Sequence, residues 1–302
     1  MTIRFKTLAC AALLLAAAVP AGAALRVLAC EPEWGALAQA LGGAQLDVAL
    51  ATNGLQDPHQ VQARPSLIAR ARNAQLLVCT GAELEIGWLP VLLQQSGNPA
   101  VQPGQPGNFA AADFVRKLEV PTVLDRSQGD VHAAGNPHIQ TDPRNIALVA
   151  EPLARRLAEL DPANAATYQA RSADFQARWK AAIQRWEQSA APLRGVPVVV
   201  QHKAFPYLQQ WLGLVEVAAL EPKPGVEPTS AHLSTVLAGL KTRPAKMILR
   251  AAYNDPRGAD WLAERTQLPV VVLPFTVGGN EQAKDLFSLF DDTVQRLLKA
   301  SR

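Results

Sequence analysis

The chain has 302 residues, of which 49% are hydrophobic and 18% charged; that composition excludes a disordered protein, and the length predicts two lobes instead of one ordinary domain. Two of the positive charges behind the net +3 are Arg4 and Lys6 near the N-terminus, so the remainder is close to neutral. No basic patch is interleaved with aromatic residues, which argues against nucleic acid as a partner.

Arg4 and Lys6 start a charged segment, Ala11 to Val19 is a short apolar run, and Ala21-Gly22-Ala23 offers small residues for cleavage. This order predicts a secretory signal over residues 1–23, a mature chain from Ala24 and a periplasmic location. The apolar run is shorter than the ~20 residues a spanning helix requires. Val27-Leu28-Ala29-Cys30 follows Arg26 and reads as a strand, not as a lipid-anchor signal. Cys10 leaves with the leader. Cys30 and Cys79 remain and both end apolar runs. On parallel neighbouring strands in an oxidising compartment they form a disulfide; the alternative is two buried, unpaired thiols.

Strands and helices then alternate. Leu25–Cys30 is a predicted strand, Glu33–Leu41 a helix stopped by Gly42-Gly43, and Leu46–Ala51 a strand before the turn Asn53-Gly54. A helix opens at Pro65 and runs to about Asn73, Gln75–Thr80 is a strand, and Ile86–Gln95 is helical. Ser96 to Asn108 is loop, and Val120–Leu124 is a further strand. Pro143 sits in the first turn of a helix to Leu160, with Asp142 as its cap. A long helix covers Pro162 to Ala191, with Tyr168, Phe175, Trp179, Ile183 and Trp186 at helical spacing and facing the core. Alternation resumes with strands Val196–Val200, Leu214–Leu220, Lys246–Arg250 and Val270–Leu273. Helices Phe205–Leu212, Ser230–Leu240, Pro256–Thr266 and Glu281–Leu298 lie between and after them. The fold class is therefore α/β: two doubly wound lobes with mainly parallel sheets, residues 24–161 and 192–302, joined by one long connecting helix at 162–191.

The chain has five histidines, and three stand where an α/β fold places ligand-facing residues. His59 follows a turn beyond a strand, His138 precedes the helix at Pro143, and His202 directly follows the strand Val196–Val200. Asp285 opens the apolar face of the last helix, where a carboxylate also suits the helix dipole; Glu281 is its rival. Three imidazoles and one carboxylate make a closed shell for Zn²⁺. Imidazole binds metal only when neutral and carboxylate only when ionised, which reference pKa values near ~6.5 and ~3.9 allow at neutral pH. Mn²⁺ prefers more oxygen donors, while Cu²⁺ binds such sites at least as tightly.

The set of motifs resembles the cluster A-I metal-binding proteins that serve ABC importers of zinc and manganese, the zinc-uptake type most closely. Asp57-Pro58-His59 with Pro65-Ser66 looks like that family's first ligand motif, and Asn136-Pro137-His138 with Asp142-Pro143 like its second. His202-Lys203-Ala204-Phe205-Pro206-Tyr207 is similar to its third, Asp285-Leu286-Phe287 to the carboxylate of its last helix, and Glu227-Pro228-Thr229-Ser230 to a further signature. Two positions depart from the pattern: Asn136 replaces an aspartate and Gln140 an aromatic residue, which predicts a looser loop at His138. The long histidine-rich insertion is absent. Only the short stretch from Gly129 to Gly135 stands before the second motif in its place; its His132 is an acceptor for a second, weak ion or a solvated loop residue. His232 reads as a surface residue.

The resemblance implies a monomeric periplasmic carrier, not an enzyme. It would bind Zn²⁺ between the lobes on His59, His138, His202 and Asp285 and deliver it to an ABC permease in the inner membrane, with small lobe shifts. A periplasmic metallochaperone is a conceivable donor. One alternative is a zinc-dependent hydrolase with Asp285 as general base, although no His-Glu-x-x-His helix or nucleophile elbow is present. Another is a two-lobed binding protein for chelated iron or a vitamin, which leaves the three histidines unexplained.

Overall fold

The structure, a computed structural model, describes residues 23–123, 129 and 132–302. The predicted signal over residues 1–23 lies, but for its last residue, outside the described residues. No helix among the described residues is long and apolar enough to cross a membrane.

Two four-stranded parallel sheets carry the fold. The first contains β1 (Leu25–Ala29), β2 (Leu46–Leu50), β3 (Leu76–Cys79) and β4 (Asn108–Ala110) in the order β2-β1-β3-β4. The second contains β5 (Pro197–Val200), β6 (Val215–Ala219), β7 (Met247–Ala251) and β8 (Val270–Leu273) in the order β6-β5-β7-β8. The central strands are almost wholly apolar, as strands covered on both faces must be: Leu76–Cys79 is buried throughout, and so are Val198, Val199 and Val200. Helices α1 (Pro32–Gly42), α2 (Pro65–Asn73) and α3 (Leu89–Ser96) connect the first sheet, and α6 (Pro206–Leu212), α7 (Ser230–Gly239) and α8 (Arg257–Thr266) the second. Asp142 caps its helix as expected, and a threonine does the same for α7. Asp142 accepts from the Arg144 amide to cap α4 (Pro143–Leu160), and Thr229 accepts from the His232 amide to cap α7.

The long helix α5 (Ala165–Ser189) packs on α4, on α1 and on α9 (Leu286–Ser301). Of its expected core face, Tyr168, Phe175, Trp179 and Trp186 are buried and Ile183 is half-buried against the same core. Trp179 stacks on Phe175 at 5.2 Å between centroids and meets Phe287 of α9 edge-on at 4.8 Å. A single hydrophobic cluster runs from Leu25 and Val27 of β1 through these aromatics to Val198 of β5 and Leu249 of β7. The two sheets are thus tied by shared core as well as by chain connection, and opening them would expose it.

Four boundaries differ clearly from the sequence expectation. The long helix starts at Ala165, not Pro162, after a 3-10 turn over Pro162–Asn164. The strand beside β3 is Asn108–Ala110, not Val120–Leu124. Residues 120–123 form no strand and Leu124 lies outside the described residues. Glu119 adopts φ 51°, Pro121 lacks an amide hydrogen, and Val120 and Val123 are exposed, so that run has neither the geometry nor the burial of a core strand. The helix expected from Ile86 begins at Leu89, because Gly81, Ala82 and Glu83 all take positive φ and the chain turns before it can coil. The last helix begins at Leu286, not Glu281, since Asp285 is its extended N-cap. Of the two alternatives for the cysteines, the structure has the disulfide: Cys30 and Cys79 follow and end neighbouring strands β1 and β3, with Cα atoms 4.7 Å apart.

Candidate metal centre

Loops at the carboxyl ends of both sheets meet in one place, as parallel α/β sheets dictate. His59 lies beyond β2, His202 two residues beyond β5, and His138 in a 3-10 turn leading to α4. One nitrogen from each of these imidazoles can be chosen so that all lie within 4.8 Å of one another. Their ring centroids are 5.2, 5.7 and 5.5 Å apart, and each pair meets edge-on.

Each ring is held by its neighbours. In Asp57-Pro58-His59 the Asp57 carboxylate accepts from the His59 amide at 3.0 Å and from its Nδ1 at 2.7 Å. The Trp88 indole donates to the Pro58 carbonyl, fixing the same turn from the other side. Glu221, just past β6, accepts from Nδ1 of His202 at 2.7 Å. These bonds place the ring proton on Nδ1 of His59 and His202 and leave each Nε2 lone pair free. Nε2 of His59 and Nδ1 of His138 are buried without a hydrogen-bond partner. Burial, and then the neighbouring His59, His202 and His132, hold the His138 pKa well below the usual imidazole value, so that ring is neutral and ready to donate a lone pair. Burial disfavours the Asp57 anion, but the His59 hydrogen bonds and charge outweigh it and lower its pKa.

The second motif uses the same backbone device with different chemistry. Asn136 Oδ1 accepts from the His138 amide at 3.0 Å, as Asp57 does for His59. Its amide nitrogen then donates to the Lys203 carbonyl at 2.9 Å, and Tyr207 donates to the Asn136 carbonyl at 2.7 Å. Asparagine in place of aspartate thus anchors the His138 loop to the residues around His202, so the substitution does not loosen it. Gln140 is another matter. It is 1% exposed, and neither amide atom has a protein partner. Removing two unsatisfied buried groups while keeping the volume is expected to stabilise the fold, so Gln140→Met should raise chemical-denaturation stability by about 1 kcal/mol. A loss of stability would mean that the amide is satisfied by ordered water.

Asp285 stands apart from this group. It is exposed, and its carboxylate accepts from the amide and hydroxyl of Ser288, both at 2.8 Å, while Ser288 Oγ accepts from the Asp285 amide, a closed capping box. The helix-start task visible in the sequence is the one its atoms perform. Glu281 is also exposed. His132 lies beside the cluster, its ring stacked 5.6 Å from that of His59. His232 is half-buried and hydrogen-bonds the Ala219 carbonyl through its ring.

Two neighbours escaped the sequence reading. Glu221 is 19 residues beyond His202, and its only sequence signal is being the first polar residue after a strand that pairs with β5. Tyr253 follows β7; its hydroxyl is buried without a partner and its pKa is raised by burial and by the Asp57 and Glu221 charges. Its ring meets Phe275 edge-on at 5.1 Å, and Phe275, at φ 66°, in turn meets His138 at 5.5 Å. A left-handed non-glycine costs roughly 1–2 kcal/mol; here it aims an aromatic ring at the centre.

A family model described as "Zinc-uptake complex component A periplasmic" matches residues 27–300. The chain is similar to the high-affinity zinc uptake system protein ZnuA of Paracoccus denitrificans, 26% identical over 84% of this chain and 85% of that one. It is also similar to the manganese ABC transporter substrate-binding lipoprotein PsaA of Streptococcus pneumoniae, 21% identical over 87% and 84%. A crystal structure of ZnuA superposes with a TM-score of 0.77 at 23% identity, covering 92% of this chain and all of that one.

Proposed function

The chain belongs to the ZnuA family, the periplasmic component A of zinc-uptake complexes, and we propose that within it this protein captures Zn²⁺ on His59, His138 and His202 and delivers it to an ABC permease. One observation carries the reading: three imidazoles from loops of both sheets converge within 4.8 Å, with free nitrogens and with carboxylates behind two of them. Neutral nitrogen donors favour Zn²⁺ over Mn²⁺, and Asp57 and Glu221 orient the rings they hold. The manganese relative leaves the metal to be decided by chemistry, and this donor set is poor in oxygen. With Asp285 engaged as a cap, the fourth position is left for water or for a donor brought in by the loops. That suits a carrier, which must release what it binds.

A zinc hydrolase also keeps three protein ligands and an open place. It needs a free general base near that place, and among the described residues Asp57 and Glu221, the carboxylates bonded to these rings, are each committed to an imidazole. The shared core limits lobe motion, so binding acts by ordering the His59 and His138 loops rather than by wide closure.

Elemental analysis of protein purified from the periplasm, joined to competition among zinc, manganese and copper, tests the proposal. One zinc per chain is expected. A native-state ligand at 100 times its Kd stabilises by about 2.7 kcal/mol, so the melting midpoint should rise with zinc. An unchanged midpoint at saturating metal would remove the carrier reading.

A further inference from the structure

We propose that when Cys30 and Cys79 are reduced, the chain holds a second soft divalent cation at a buried site of its own, on the two thiolates and the carboxylates of Glu85 and Glu31. One donor atom each from Cys30, Cys79 and Glu85 lies within 4.8 Å of the others, and all three residues are buried. Parallel neighbouring strands supply the two sulfurs from Cα atoms 4.7 Å apart. Tetrahedral zinc with bonds of about 2.3 Å holds two sulfurs roughly 3.8 Å from each other, a span that this strand pair can offer once the bridge is open.

Both carboxylates reach the backbone beside Cys79. The Thr80 amide, next to Cys79, donates to Glu85 Oε1 at 2.7 Å and to Glu31 Oε2 at 3.2 Å. Glu31 directly follows Cys30, is 3% exposed, and its Oε1 has no hydrogen-bond partner. Two acids meeting in so dry a place keep protons: burial first, and then its acidic neighbours Glu85 and Glu33, raise the Glu31 pKa well above the ordinary value, and burial brings Glu85 to about 7. A cation there would displace those protons together with those of the thiols. The resulting sulfur and oxygen set is closed and buried, unlike the imidazole centre with its open position.

The redox step balances with a dithiol. One thiolate of the reductant attacks Cys30 or Cys79, the bridge breaks, and the reductant's second thiol displaces the mixed disulfide. Two electrons and two protons pass to the cysteines as the reductant closes its own disulfide. Reoxidation by a disulfide reverses this and expels the cation. The bridge therefore keeps the interior free of a competitor for the cargo metal.

The test uses the full chain with Cys10→Ser, oxidised or reduced by a phosphine under nitrogen, with two thiols confirmed by mass after alkylation, and Co²⁺ alone as the probe. Reduction is expected to add one cobalt per chain and an intense sulfur-to-cobalt charge-transfer band, which persists with His138→Ala. Cys79→Ser should lose at least half of the band, and Glu85→Gln should weaken cobalt binding at least tenfold while keeping it. Absence of the band, or unchanged affinity in Glu85→Gln, overturns the proposal. Should reduction unfold the chain, cobalt is expected to restore its helical circular dichroism, and failure to do so is equally decisive. An oxidised chain that binds no cobalt, beside a reduced one that binds a single ion, would sink the histidine centre and leave this site standing.

Discussion

His202→Ala is expected to lower zinc affinity far more than loss of any residue that only supports the three imidazoles, and to leave the metal-free fold in place. The mutation removes one of three donors and leaves Glu221 facing the vacated space. Glu221→Gln is the informative partner. It keeps a hydrogen-bond acceptor for Nδ1 of His202 but removes the carboxylate charge behind the ring, and loss of an orienting group of this kind costs ~10–100-fold in affinity. His202→Ala must exceed that range, because it deletes the donor itself. Asp285→Ala supplies the contrast. Its carboxylate closes the capping box of α9, so its removal should cost about 1 kcal/mol of stability and change zinc affinity less than twofold. Competition titrations against a chelator of known strength would give all three values in one buffer. If Asp285→Ala loses zinc as severely as His202→Ala, the shell has four protein ligands, the cap is exchanged for the ion on loading, and the open-position account fails.

What the sequence made legible follows physical lines. Each central strand announced itself because a strand covered on both faces must be apolar along its length, as Val198–Val200 and Leu76–Val78 are. Histidines at strand ends were readable for the same topological reason, and His59, His138 and His202 do come together. The edge strand Asn108–Ala110 was not readable. It has three residues, follows a Gly- and Pro-rich loop, and is held by its neighbour β3 more than by its own pattern. Asp285 was ambiguous because a helix cap and a metal ligand call for the same residue type in the same place, and only coordinates reveal which atoms the carboxylate touches. Glu221 was hidden for a different reason: its contact with His202 spans two adjacent strands, and no local spacing encodes that. Gln140 and Asn136 look alike in sequence as polar departures from one motif. One is buried without a protein partner and the other bridges to Lys203, a difference set by three-dimensional neighbours alone.

Metal-free protein is expected to lose stability as pH rises from 5 to 8, through the buried carboxyls of the first lobe. Burial lifts Glu33 and Glu85 from 4.5 to about 7, and Glu31 well above 4.5. A raised carboxyl pKa means that the folded state holds a proton the unfolded chain releases. Its contribution is whole below the unfolded value and disappears as pH climbs through the folded one. Each group shifted this far accounts for a stability change on the order of 3 kcal/mol at most. His138 acts with the opposite sign, since its lowered pKa makes the unfolded chain the better proton acceptor below 6.5. The clean measurement is therefore a difference. Glu85→Gln mimics the neutral acid, with an oxygen for the Thr80 and Gly81 amides, while His138 is common to both proteins and cancels. Near pH 5 the variant and the wild type should melt within about 3 °C of each other. At pH 8 the variant should be the more stable by on the order of 1–3 kcal/mol, with each kcal/mol worth about 2–4 °C in a chain of this size. The same gap at both pH values would show that Glu85 is ionised throughout, and would place the shared protons of this cluster on Glu31 and Glu33 instead.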